Sequence, residues 1–300
     1  ECLGRCSIGK YSNRTGLSAD SECSLCSAGK WSSQLGITSD ESCFLCSAGK
    51  FSNRVGLTTD KQCDGTCSTG KYSSVPGLIS DAECQNCSEG KWLDSTGHTS
   101  RNDCKSCDAG TFSSETGLKN SNQCQECPTG YRQPTGGTTF CFPCVPGEHQ
   151  NNPAQTTCKA CPANWFSNQA NQAECKACGA TEKADQRGTF CSKCNAGEYM
   201  NIVTIASVPN TTRTNRSCET CEPGFFSPAG VTTCEDCPAG YYNNSDRSGC
   251  FPCGAGKYGN TTSQFSATMA CKKCPTGRYS KATGVGEKDL CVQCNPGKYS

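Results

Sequence analysis

Thirty-two of the residues are cysteine, and thiols spaced this regularly can ligate a soft metal, attack an electrophile or oxidise to disulfides. They form sixteen close pairs from Cys2/Cys6 to Cys291/Cys294, fourteen of them Cys-x2-Cys. Cys23-x2-Cys26-x16-Cys43-x2-Cys46 has the spacing of a zinc site. Read that way, each pair would serve one site only and equivalent units would become inequivalent, so neither metal nor cofactor is expected. A pair closed on itself, such as Cys23–Cys26, is redox-active and constrains almost nothing.

If every unit is equivalent, the second cysteine of one pair bonds the first of the next. That ladder runs Cys6–Cys23, Cys26–Cys43, Cys46–Cys63, Cys67–Cys84, Cys87–Cys104, Cys107–Cys124, Cys127–Cys141 and Cys144–Cys158. It continues through Cys161–Cys175, Cys178–Cys191, Cys194–Cys218, Cys221–Cys234, Cys237–Cys250, Cys253–Cys271 and Cys274–Cys291. Cys2 and Cys294 are left for neighbours outside. Each loop closure is worth roughly 3 kcal/mol by the chain-entropy estimate.

Other side chains offer less chemistry. His98 and His149 are the two histidines and lie in different units. A nucleophilic pair would need one of them beside a free Ser or Cys, and His149 occupies a slot that is aromatic elsewhere, so an enzyme is not expected. An Asp recurs three residues before a cysteine (Asp20, Asp40, Asp60, Asp81). One carboxylate per unit is too few for calcium, and the residue reads as a turn former. Asn13, Asn86, Asn210, Asn215, Asn243 and Asn260 head Asn-x-Ser/Thr sequons. Asn86, followed by Cys87, is the weakest; the other five are candidate glycan acceptors.

These residues are carried by a repeat. Three residues after the second cysteine stands a glycine in 14 of 16 units, Asn164 and Thr181 being the exceptions. Five residues after it stands an aromatic in 13 of 16, beginning Tyr11, Trp31, Phe51, Tyr72, Trp92. Long units add a second glycine ten residues after it, usually followed by Leu or Ile. The glycines predict turns, and the aromatic is the largest apolar group a unit can bury, against the disulfides. In such arrays each unit contacts mainly its neighbours. Three stretches follow from the pitch: 1–127 at about 20 residues, 128–194 at about 17, and 195–300 mixed, with a long loop at 195–217. That loop carries the apolar run Ile202–Val208, either a longer strand pair over its own unit or a sticky edge for a partner.

Leu, Ile, Val and Phe total only 34 of 300 residues, too few for one large core, so covalent staples must replace it. Charge is balanced at 28 basic against 27 acidic residues, which argues against nucleic acid or anionic lipid as partner. No run of 18 apolar residues occurs, so no membrane span is expected, and no signal peptide is seen.

The pattern Cys-x2-Cys-x2-Gly-Lys-aromatic-Ser, as in Cys26-Ser-Ala-Gly-Lys-Trp-Ser32 and Cys237-Pro-Ala-Gly-Tyr-Tyr242, resembles the ephrin-receptor-like cysteine-rich repeat. It is also similar to the first module of tumour necrosis factor receptor cysteine-rich domains. An interlocked pairing, Cys23–Cys43 with Cys26–Cys46, is known in related modules and stays open beside the ladder. The resemblance implies small disulfide-rich repeats in an elongated rod with short β-hairpins and little regular secondary structure, outside the cell or on its surface. Expected roles are a filament, hair or coat component, or alternatively the stalk of a receptor or adhesion ectodomain. The partners would be other copies of itself or other extracellular proteins, with glycans attached.

Overall fold

The computed structural model describes residues 4–207 and 211–299; Cys2, Val208 and Asn210 lie outside them. With so few large apolar side chains, burial is solved unit by unit. After the second cysteine of a pair the chain turns at a glycine, extends for two residues, and returns through the next Cys-x2-Cys to pair with itself. Lys30–Trp31 thus lies antiparallel to Phe44–Leu45, Lys30 opposite Leu45 and Trp31 opposite Phe44. The described residues hold fifteen such two-stranded sheets, one helix of four residues at Ala267–Ala270, and short 3-10 turns.

A two-residue strand pair has no stability of its own. Here each is closed covalently. Fifteen disulfides join the second cysteine of one pair to the first of the next, Cys6–Cys23 to Cys274–Cys291. Cys294 is the free cysteine among the described residues.

The change of pitch has a local cause. The first six disulfides span 17 residues and the next three span 14. The longer loops contain a three-residue 3-10 turn such as Asp40–Ser42, and the shorter ones have none. The slot six residues after the second cysteine also varies. It is a buried Ser in four long units (Ser32, Ser52, Ser73, Ser113) and in one short unit (Ser167), Leu93 in another long unit, and a buried Gln in two short units (Gln133, Gln150). Gln133 Nε2 donates to the Phe140 carbonyl at 2.6 Å and Gln150 Nε2 to the Thr157 carbonyl at 2.7 Å. The longer side chain reaches across its own loop to a carbonyl on the far side.

Consecutive units are joined by a repeated set of contacts. The aromatic of one unit forms a bridge with the Leu-slot residue of the next: Tyr11 with Ile37, Trp31 with Leu57, Phe51 with Leu78, Tyr72 with His98, Trp92 with Leu118. Trp31 packs on Leu57 and on Cys46 and Cys63, a disulfide pair of the following unit. The core is therefore a series of small clusters, each made of one disulfide, one Leu or Ile, and the aromatic of the unit before.

Contacts also reach past the immediate neighbour. Gly49 has φ +76, and a Cβ placed on it would stand 2.5 Å from the Gly97 carbonyl oxygen, two units further along. This close approach adds a second-neighbour contact to those between adjacent units. Asn164 occupies the same slot at φ 64, a conformation asparagine tolerates. Its Nδ2 donates to the Thr214 carbonyl at 2.7 Å, again two units on.

The chain forms two compact units, Glu1–Cys144 with Gln150–Cys158, and Val145–His149 with Lys159–Ser300. In the second, Glu198–Ser207 pairs with Thr211–Thr220 from Glu198↔Thr220 to Ser207↔Thr211. Much of the 195–217 segment is thus β-ribbon. Arg216 anchors it, donating to the Gly179 carbonyl at 2.7 Å and the Glu182 carbonyl at 2.8 Å.

Candidate interaction surface and charged clamps

The recurring aspartates close clamps inside their own units. Asp40 Oδ1 accepts from the Ser27 N–H at 2.8 Å and Oδ2 from its hydroxyl at 2.7 Å. Lys30 Nζ lies 2.6 Å from Oδ2. Lys10–Asp20, Lys50–Asp60 and Lys71–Asp81 repeat the arrangement at 2.6–2.7 Å. Lys10, then the Ser7 N–H and hydroxyl, hold the Asp20 carboxyl down from 3.8 to about 2. Partial burial pushes Asp40, Asp60 and Asp81 upward, but their Lys and Ser hydrogen bonds outweigh it, and all three are lowered. Arg101 and Ser121 hold the Asp slot in the next two units. There Lys105 instead pairs with Asp94 at 3.1 Å and sits 4.6 Å over the Trp92 ring.

Cys26, Asp40 and Cys43 bring ligand atoms within 4.8 Å of one another. The two sulfurs are bonded to each other, and Asp40 is held by Ser27 and Lys30, so the trio presents no thiolate to a metal.

Sequence reasoning missed one grouping. Ser95 Oγ lies 2.8 Å from His98 Nε2, and His98 Nδ1 lies 3.2 Å from Asp103 Oδ2. The order hydroxyl–imidazole–carboxylate is that of a nucleophilic triad. A nucleophilic pair requires a histidine beside a free Ser or Cys, and His98 stands beside Ser95; the Ser95-x2-His98 spacing was the available signal. Its setting differs from a catalytic one. Ser95 is exposed, His98 and Asp103 are about a third exposed, and oxyanion stabilisation depends on a water-excluded site. His98 stands in the slot that holds Ile37, Leu57, Leu78 and Leu118 in sister units. A polar ring there needs partners for both nitrogens, and Ser95 and Asp103 supply them. His149, half-buried, places Nδ1 3.3 Å from the Ala173 carbonyl.

The two residues inside a Cys-x2-Cys are exposed in most units. In the first compact unit these residues include Leu25, Phe44 and Leu45, each about 46% exposed. In the second unit they include Glu235 and Asp236, then Phe251 and Pro252, then Lys272 and Lys273, all exposed. Among the sequons, Asn13, Asn86, Asn215 and Asn260 are exposed, Asn86 being the one followed by the bonded Cys87. Asn243 is 4% exposed in the slot of the buried Ser and Gln, and its Nδ2 donates to the Phe225 carbonyl at 3.1 Å. The folded unit has no room for a glycan there.

One family model, described as tyrosine-protein kinase ephrin type A/B receptor-like, matches residues 150–190. The match falls in the short-pitch stretch. No curated protein matches the chain. The match and the tandem disulfide-bonded hairpins make this a cysteine-rich repeat protein. Fifteen disulfides and a receptor-like repeat point to an extracellular or surface location. No helix among the described residues is long and apolar enough to cross a membrane.

Proposed function

We propose that the chain is a structural component of an extracellular filament, hair or surface coat, and that it is not an enzyme. The observation that carries this reading is the covalent closure of successive units combined with contacts that reach two units on, as at Gly49 and Gly97. A force applied along such a chain meets a disulfide in each unit and a backbone lattice spanning three. Long-pitch units at 1–127, short-pitch units at 128–194 and mixed units at 195–300 would then set different local twist. N-linked glycans on Asn13, Asn215 and Asn260 would add solubility and protease resistance. The receptor-like family match favours a second reading, the stalk of a receptor or adhesion ectodomain that binds a protein ligand.

Electron microscopy of the native material separates the two. Regular fibres labelled by an antibody to this chain are expected; dispersed single copies at every accessible concentration would favour the stalk. An active-serine fluorophosphonate probe is expected to leave Ser95 unlabelled, and stoichiometric labelling there would overturn the non-enzymatic reading.

A further inference from the structure

The chain-wide charge balance conceals two blocks of opposite sign. Residues 195–250 carry three basic and six acidic residues, net −3, and residues 251–300 carry seven basic and two acidic, net +5. The basic block has lost the clamp that neutralises Lys in the first four units. Lys257 fills the Lys slot, but Gly254 stands in the Ser slot and Thr268 in the Asp slot. In the next unit Arg278 fills the Lys slot and Lys288 the Asp slot. Lys257 also lies directly across the strand pair from Lys273, a like-charge arrangement that costs free energy unless an anion approaches.

The charges are ordered as well as segregated. Three consecutive units put Glu235-Asp236, Phe251-Pro252 and Lys272-Lys273 in one structural slot, the second strand of a hairpin, every residue exposed. The three are joined by the same backbone bond, Ser227 N–H to the Arg247 carbonyl at 3.1 Å and Asn243 N–H to the Gln264 carbonyl at 3.0 Å. Within the chain, Ser263 Oγ donates to Asp236 at 3.1 Å and Lys272 donates to Asn260 Oδ1 at 3.1 Å. Neither contact neutralises a charge.

An acid–aromatic–base order is self-complementary under a two-fold axis through its middle member, which is the requirement for an isologous interface. We propose that two copies of this chain pair antiparallel about Phe251, so that Glu235 and Asp236 of each copy face Lys272 and Lys273 of the other. Phe251, half exposed and 6.2 Å from the Tyr242 ring centroid, supplies the apolar centre. The inference goes beyond the filament reading and does not require it, because a receptor stalk could pair in the same way.

The test is sedimentation of the full oxidised chain after enzymatic removal of N-glycans, since Asn260 lies beside Lys272. Dimers are expected in 50 mM NaCl, weakening about tenfold or more by 0.5 M as exposed charges are screened. The double variant Lys272→Glu/Lys273→Glu and the double variant Glu235→Lys/Asp236→Lys are each expected to be monomeric, since each sets like charges face to face. Mixed one to one, the two variants are expected to form a heterodimer. Wild-type protein that stays monomeric in low salt, or variants that dimerise alone as wild type does, would overturn the proposal. Fibres in native material without this dimer would leave the filament reading standing and remove the pairing, so the two failures are distinguishable.

Discussion

At the scale of single residues, the same glycine can be required for two different reasons. Gly49 and Gly16 both have positive φ, +76 and +73, yet a Cβ on Gly49 meets the Gly97 carbonyl oxygen while one on Gly16 meets nothing within 4 Å. Gly16→Ala should therefore cost about 1 kcal/mol, the left-handed penalty alone. Gly49→Ala should cost at least about 2 kcal/mol more, because a backbone carbonyl two units away cannot move aside. Hydrogen-exchange protection around each site measures the difference, and equal losses would contradict the second-neighbour contact. The Asp clamp has a pH signature. A carboxyl lowered from 3.8 to about 2, as at Asp20, adds stability that is present above 3.8 and is lost as pH falls through about 2. Carboxyl NMR is expected to place the Asp20 midpoint near 2 and to move it upward in Lys10→Met. Glycine and aspartate slots were both legible in the sequence, but their reasons were not. A turn glycine and a close-approach glycine are the same letter, and Asp20 reads as a turn former until Lys10 and Ser7 are seen to converge on it. Ser95 could be read beside His98 from their spacing, but Asp103 could not, because it reaches His98 from the 3-10 turn Arg101–Asp103.

At the scale of the element, the loops that span 17 residues are those that contain a 3-10 turn, and in two of the shorter ones a Gln fills the slot six residues after the second cysteine. Gln133 is fully buried and its amide satisfies the Phe140 carbonyl inside its own loop. Gln133→Ala should therefore cost about 1 kcal/mol, the loss of one hydrogen bond, because the Thr138 hydroxyl also reaches that carbonyl at 3.5 Å. Exchange at the amides of residues 133–141 should speed up while units beyond direct contact keep their protection; uniform loss across the chain would contradict a local role. Short hairpins were expected from the family resemblance, but their register, such as Lys30 opposite Leu45, was not read from the sequence. The Ser-to-Gln exchange was not recognised, because it is a size change at one polar slot and its partner is a backbone carbonyl. The ribbon Glu198–Ser207 with Thr211–Thr220 was one of two readings of an apolar run, and Asn164 and Arg216 show how it is tied to the units before it.

At the scale of the whole molecule, covalent closure takes over the role that a hydrophobic core plays elsewhere. Glycan acceptors are sorted by the same architecture. Mass spectrometry of native protein is expected to find Asn13, Asn215 and Asn260 occupied and Asn243 bare, and a glycan on Asn243 would mean that its slot is not buried. Every contact described above, from Trp31 over the Cys46–Cys63 disulfide to Gly49 against Gly97, depends on each unit being closed by its own staple. The most direct measurement is peptide mapping of the unreduced protein with thiols blocked during digestion. It is expected to recover Cys26 linked to Cys43 and Cys46 linked to Cys63. Recovery of Cys23 linked to Cys43 together with Cys26 linked to Cys46 would contradict the account, because interlocked units could not present the same slots at every pitch.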